Sequence, residues 1–158
     1  RRLGDRLRTN SHATVLSSPL QRARKTCELA GFGDAPQIMA DLMEWDYGKY
    51  EGLTTAEIRA RRPGWTLFRD GCPGGERLTD VIARADRLVA MLKSARGDVL
   101  VFSHGHFLRV LTTRWAGFPA ELGGRFLLAS GALSVLGTDA ASGDPVLDRW
   151  NDVCHLEA

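Results

Sequence analysis

Two short apolar segments of the chain are each followed directly by side chains that bind anions. Residues 13–16 are predicted to form a buried strand, which leads through two serines and a proline into a helix with Arg22 in its first turn. Free N–H groups at a helix N-terminus favour an anion, and a guanidinium matches phosphate oxygens. This position predicts a phosphate-binding arginine. The alternative is a surface arginine paired with a neighbouring acid.

His104 follows the second such segment, residues 98–102, and precedes a glycine. An imidazole at this place is predicted to face a phosphate, and Gly105 permits a ligand to approach the backbone closely. Two alternatives stay open: a core histidine with satisfied hydrogen bonds, and a metal site shared with His106. A metal site needs a further histidine or carboxylate at suitable spacing, and none is evident. We therefore predict no metal.

Glu44 stands among aromatic residues in the segment EWDYG, residues 44–48. A carboxyl group beside aromatic rings can have a raised pKa and act as a general acid, and the alternative is an exposed loop acid. The chain contains no glycine-rich dinucleotide motif, no P-loop and no Gly-x-Ser-x-Gly. The sequence therefore gives no support for a dinucleotide-binding or P-loop protein and only weak support for a serine hydrolase.

The order of elements is strand–helix, helix, strand–helix, which predicts an α/β fold: a three-layer sandwich with a mostly parallel sheet and helices on both faces. The clearest helix begins near Glu76 and ends at Gly97, and a capping box at Thr54 begins a shorter one. Ligands of such sheets bind beyond the carboxyl ends of the strands, where both predicted anion-binding residues lie. Residues 132–136 and 146–150 are predicted to form a hairpin.

Length and composition limit the class of protein. The chain has 158 residues, which predicts a single domain over residues 1–158. Its 21 Lys and Arg against 19 Asp and Glu are too balanced for a dedicated nucleic-acid binder. Apolar runs are too short to span a membrane. Three cysteines without metal-ligand spacing argue against a disulfide framework and predict a cytoplasmic protein.

Three segments together resemble the histidine phosphatase superfamily, which includes phosphoglycerate mutases and many acid phosphatases. Residues 17–26 (SSPLQRARKT), 44–52 (EWDYGKYEG) and 99–105 (VLVFSHG) resemble its phosphate-arginine, acid-residue and second-histidine motifs, in the order of the family. Residues 69–72 (RDGC) and 104–109 (HGHFLR) are similar to segments of small bacterial acid phosphatases and sugar-bisphosphate phosphatases.

The resemblance implies roles for the residues that match these motifs. Arg22 and His104 would be catalytic and would hold the transferring phosphoryl group. Glu44, the third catalytic residue, would donate a proton to the leaving oxygen. Besides Arg22 and His104, the substrate would be contacted by Tyr47, Gly105 and His106.

The nucleophile of the superfamily is a histidine in an Arg-His-Gly motif, and residues 1–158 contain no such motif. The chain begins at Arg1 rather than Met, so we expect the natural protein to extend upstream, with the missing strand and nucleophile loop there. The family's mechanism needs no metal or other cofactor.

The function implied is hydrolysis of small phosphate monoesters, such as sugar phosphates, through a phosphohistidine. The partner would be a small phosphorylated metabolite. Phosphoryl transfer of the phosphoglycerate mutase type is an alternative, but only 23 residues separate Gly52 from Glu76, and mutases of the family tend to have longer additions. A non-catalytic phospholigand-binding module is a third possibility. Apolar residues of the last third, such as Trp115 and Phe118, belong to the core or to a homodimer face.

Overall fold

Three short parallel strands form the centre of the fold in a computed structural model that describes residues 1–7, 14–34 and 36–156. Their order across the sheet is β2-β1-β3. The strands are β1 (Thr14–Ser17), β2 (Gln37–Ile38) and β3 (Val99–Phe102). Ala13, which the sequence assigned to the first strand, lies outside the described residues.

The register of β1 and β3 brings their carboxyl ends level. Leu16 pairs with Val101 and Ser17 pairs with Phe102, so both strands end at the same height. The backbone N–H of Ser18 continues the ladder by donating to the Phe102 carbonyl, 2.9 Å away. The polar residues that follow each strand therefore emerge side by side, as the sequence predicted.

The helices agree with the predicted pattern apart from their ends. The capping box at Thr54 is present, with reciprocal hydrogen bonds to Glu57. The long predicted helix begins two residues after Glu76, and the short α4 was not predicted. The helices are α1 (Arg2–Leu7), α2 (Gln21–Leu29), α3 (Thr55–Arg61), α4 (Leu67–Asp70), α5 (Leu78–Ser94) and α6 (Gly105–Trp115), with 3-10 turns at Ala40–Leu42, Gly48–Tyr50 and Ala120–Arg125.

Alternating side chains of β3 build a core on each face of the sheet. Leu100 and Phe102 pack with residues of α1 and α2, among them Cys27. Val99 and Val101 face the larger cluster, to which α5 and α6 contribute most of their buried residues. The period of two along the strand thus gives helix–sheet–helix layers, which confirms the predicted α/β architecture.

The predicted hairpin is present and lies beside the sheet. It consists of β4 (Leu133–Thr138) and β5 (Pro145–Asp152), paired antiparallel. The indole Nε1 of Trp115 donates to the Gly137 carbonyl at 3.0 Å and connects the hairpin to α6. Trp115 is therefore a core residue, with 9% of its surface exposed, whereas Phe118 is 45% exposed.

The cysteines of the chain are free thiols. Cys27 and Cys72 are buried and Cys154 is exposed. Burial raises the pKa of Cys72 to about 11, so that thiol is protonated at neutral pH. None of the helices formed by the described residues is long and apolar enough to cross a membrane.

A glycine-rich turn supports the loop that contains Glu44. Gly75 lies so close to this loop that an added Cβ would come 2.3 Å from the Asp46 carbonyl oxygen. Glu76 closes the contact, because its N–H donates to the Asp46 carbonyl at 3.0 Å and its own carbonyl accepts from Trp45 Nε1 at 2.9 Å. The two segments can approach this closely only where residue 75 has no side chain.

We expect Gly75→Ala to lower the free energy of unfolding by about 1–3 kcal/mol, because backbone must move to admit the methyl group. Gly105→Ala is the matched control, since a Cβ there meets no described heavy atom within 4 Å. Urea unfolding followed by tryptophan fluorescence measures both. Equal stability of the two variants would contradict the close approach.

Candidate active site

Arg22 and His104 meet at the edge of the sheet where β1 and β3 end. Arg22 projects from the first turn of α2, and its Nε donates a hydrogen bond to Nδ1 of His104 at 3.0 Å. No carboxylate in the described ranges forms an ion pair with Arg22. The Arg22 guanidinium is therefore available to bind an anion. This argues against the alternative of an arginine paired with a neighbouring acid.

His104 is buried and holds its proton on one nitrogen. It is 6% exposed, and its Nε2 lies 2.8 Å from Oγ of Ser18. Because a guanidinium only donates, Nδ1 must accept from Arg22, and the neutral ring carries its proton on Nε2. Burial lowers the pKa of His104, and the charge of Arg22 lowers it further. The imidazole is thus neutral at rest, with Nε2–H donating to Ser18.

Glu44 binds the N-terminus of α6. Its Oε1 accepts from the N–H of Phe107 at 3.0 Å, and its Oε2 accepts from the N–H of His106 at 3.2 Å. Burial raises the pKa of Glu44, but hydrogen bonds from the His106 ring and from the N–H groups of Trp45 and Phe107 outweigh burial and bring the pKa to about 2. The expectation of a raised pKa is wrong, because the His106 ring and, after it, backbone N–H groups stabilise the carboxylate.

A cavity of about 470 Å³ opens beside these residues and brings most of the predicted site together. Arg22, Glu44, Tyr47 and His106 all line it. The Tyr47 hydroxyl is 3.4 Å from Nδ1 of His106, and their ring centroids are 5.8 Å apart. Burial and the charge of Glu44 raise the pKa of Tyr47, so the phenol stays protonated and can donate to a ligand.

Arg84 of α5 fixes the segment before Glu44. Its guanidinium forms a bidentate ion pair with Glu76, both distances 2.8 Å, and donates to the carbonyls of Asp41 and Met43 at 2.6 and 3.1 Å. The same group lies 4.8 Å from the ring centroid of Phe107. Arg84 thus connects α5, α6 and the loop that contains Glu44.

The comparison with known families agrees with this geometry. The model of the histidine phosphatase superfamily (branch 1) matches residues 1–153. The chain belongs to the histidine phosphatase superfamily. The match includes every residue that the sequence placed at the site.

Relatives of this chain are found in bacteria and yeast. It is 43% identical over 126 residues to an acid phosphatase of Mycobacterium tuberculosis, covering 78% of this chain and 61% of the relative. It is 32% identical over 132 residues to the sedoheptulose 1,7-bisphosphatase of Saccharomyces cerevisiae, covering 68% and 49%. The chain therefore spans less than two thirds of the length of either relative.

The solved structures agree with the fold of the superfamily. The product of open reading frame Rv3214 of Mycobacterium tuberculosis superposes with a TM-score of 0.89 at 36% identity, covering 96% of this chain and 80% of that one. A mycobacterial glucosyl-3-phosphoglycerate phosphatase superposes with a TM-score of 0.81 at 25% identity, covering 95% and 82%.

Ser18 and Arg84 also support the site, and the sequence patterns predicted no role for either residue. Ser18 lies inside the phosphate-arginine motif, and its position directly after β1 was the available signal. In the sequence, Arg84 occupies a helical position that is also typical of a solvent-exposed charged residue. Its partners come from distant segments, so no local pattern could predict its role. Among the described residues, no group of three or more His, Cys, Asp or Glu is placed to hold a metal ion.

Ser18→Ala removes the acceptor of the His104 Nε2 proton. We expect a loss of about 1–3 kcal/mol in the free energy of unfolding, because a buried N–H is left unpaired. Nitrogen-15 NMR of the imidazole should still show the Nε2–H tautomer, because Arg22 continues to donate to Nδ1. Ser17→Ala is the matched control, since that buried hydroxyl donates to the Ser18 carbonyl at 3.1 Å instead. A wild-type spectrum with the proton on Nδ1 would overturn the assignment.

Glu44→Gln removes the charge that α6 binds. The pKa of about 2 in the folded protein lies below the ordinary glutamate value of 4.5. The carboxylate therefore stabilises the fold above about pH 4.5, and this contribution is lost as the pH falls through 2. We expect wild type to exceed the variant by about 2–3 kcal/mol at neutral pH and by little at the acid end. Urea unfolding across this range measures the difference, and Glu121→Gln is the control. A difference independent of pH would contradict the low pKa.

Proposed function

We propose that the protein containing this chain hydrolyses small phosphate monoesters. The observation that carries the proposal is the meeting of Arg22 and His104, from two separate strand ends, beside Glu44 and an open cavity. A guanidinium without a carboxylate partner in the described chain and a histidine beside it match the oxygens of a phosphoryl group. Two relatives named acid phosphatase and sedoheptulose 1,7-bisphosphatase support the same class of reaction.

The proposed mechanism passes through a phosphohistidine. A histidine of an Arg-His-Gly motif, expected upstream of Arg1, would attack phosphorus in line while the P–O bond to the leaving alcohol breaks. Arg22, together with His104 once Nδ1 of that ring has gained a proton, would stabilise the charge on the transferring oxygens. Water would then attack phosphorus, releasing phosphate and the histidine. These residues supply the positive charge, so the proposal requires no metal ion.

Glu44 would serve both steps in different protonation states. At rest it is ionised, which suits a base that takes the proton of the attacking water. To protonate the leaving alkoxide it must first gain a proton. A bound phosphate dianion favours that gain, because a nearby like charge raises the pKa of a carboxyl group. Substrate binding thus favours the protonated form of Glu44, which acts as the acid. After its proton has passed to the leaving alcohol, Glu44 is again a carboxylate and can act as the base.

Arg22→Ala and His104→Ala test the phosphate site in the full-length protein. We expect each to lower kcat/KM for p-nitrophenyl phosphate by about 10²–10³-fold, because each removes a donor to the transferring group. Arg24→Ala is the matched control, an exposed arginine on the same helix. Unchanged turnover in both site variants would refute these roles.

The same protein distinguishes the alternative functions. Release of inorganic phosphate from 3-phosphoglycerate indicates a phosphatase, and shuttling of the phosphoryl group with little release indicates a mutase. An upstream sequence without Arg-His-Gly, together with phosphate binding but no turnover, would favour the non-catalytic phospholigand-binding module.

A further inference from the structure

The wall of the cavity carries more negative than positive charge. Arg22 is the only Lys or Arg among the described residues that line it, whereas Glu44, Asp46 and Glu51 each contribute a carboxylate. Arg109 does not line the cavity, and its Nε donates to the Gly123 carbonyl at 2.9 Å, although its charge reaches Tyr47 and Glu44. A phosphoryl group held by Arg22 uses that cation, so the other Asp, Glu, Lys and Arg side chains of the described lining are all carboxylates.

Asp46 and Glu51 are held in place by the loop that forms this wall. Oδ1 of Asp46 accepts from the N–H of Gly48 at 2.8 Å, and Oε1 of Glu51 accepts from the N–H of Tyr47 at 3.0 Å. No Lys, Arg or His of the described chain lies within ion-pair distance of either carboxylate. Their charges are therefore fixed in position and not neutralised.

The field of these two carboxylates reaches the interior beside the cavity. Burial, together with the charges of Glu51 and Asp46, raises the pKa of the Cys72 thiol to about 11. Burial raises the pKa of Tyr47, the charges of Glu44 and Glu51 raise it further, and the charge of Arg109 opposes them. A negative potential thus extends across the wall where the alcohol part of a substrate would lie.

We propose that the site selects phosphate monoesters whose alcohol part carries no second negative charge, and that Asp46 and Glu51 impose this selection. The inference rests on the proposed function and narrows its substrate class. Hydroxyl groups can donate to both carboxylates, whereas a substrate carboxylate or second phosphate is repelled by them. The favoured substrates are neutral, hydroxyl-bearing alcohols with a single phosphate, such as polyol and sugar monophosphates.

Two esters with the same carbon skeleton isolate the effect of charge. Glycerol 3-phosphate ends in a hydroxymethyl group where 3-phosphoglycerate has a carboxylate. For the intact wild-type protein at low salt, we expect kcat/KM to favour glycerol 3-phosphate by about tenfold or more. The preference should shrink in about 0.5 M NaCl, because salt screens exposed charges and leaves shape complementarity unchanged.

The double variant Asp46→Asn/Glu51→Gln removes both charges and keeps the side-chain oxygens that accept from Gly48 and Tyr47. We expect the ratio of the two kcat/KM values to fall towards one, chiefly through a gain for 3-phosphoglycerate. Asp148→Asn is the matched control, since it removes one charge from an exposed position on β5 and should leave the ratio unchanged. Glu51→Gln alone should give an intermediate ratio, and it keeps the test decisive if the double variant does not fold.

The outcomes separate this inference from the proposed function. Equal kcat/KM for both esters in wild type, a preference insensitive to salt, or a ratio unchanged by the charge-removing variants would each overturn the selection while phosphatase activity stands. A folded wild-type protein that hydrolyses neither these esters nor p-nitrophenyl phosphate would refute the proposed function, and the selection with it.

Discussion

Glu44 and β3 hold the N-terminus of α6 from two sides, and the positions of both site histidines follow from this arrangement. His104 is the residue immediately before the helix, and His106 lies in its first turn. The carboxylate of Glu44 accepts from two N–H groups of that turn, so it bonds to the helix that orients both imidazoles. A single charge therefore couples a loop in the first third of the chain to a helix in the last third.

A largely buried ion pair stabilises the loop on which Glu44 stands. Arg84 and Glu76 are 13% and 21% exposed, and their bidentate geometry offsets the desolvation of both groups. Because Arg84 also donates to two carbonyls before Glu44, the backbone on that side cannot shift without leaving a buried donor unpaired. Such a rigid support suits a group whose oxygens must keep a fixed direction towards a ligand.

Local patterns in the sequence predicted the features that depend on residues close together along the chain. The capping box at Thr54, the long apolar period of α5 and the two strand ends with Arg22 and His104 all follow from residues that are close along the chain. The ionisation of Glu44 could not be predicted in this way, because it depends on groups about 60 residues away that only the fold brings near, among them two backbone N–H groups of α6. The partners of Arg84 escaped prediction for the same reason.

The hydrogen bond from Arg22 to His104 links anion uptake to protons. It exists only while Nδ1 of His104 has a free lone pair. Once that nitrogen is protonated, two cations face each other at the edge of the sheet, and an anion placed between them removes the repulsion. Acidification thus converts a pair of residues that hydrogen-bond to each other into a pair of cations that binds an anion. Binding of an oxyanion there is therefore coupled to uptake of a proton by His104. In a calorimeter, the heat of such binding varies with the ionisation enthalpy of the buffer.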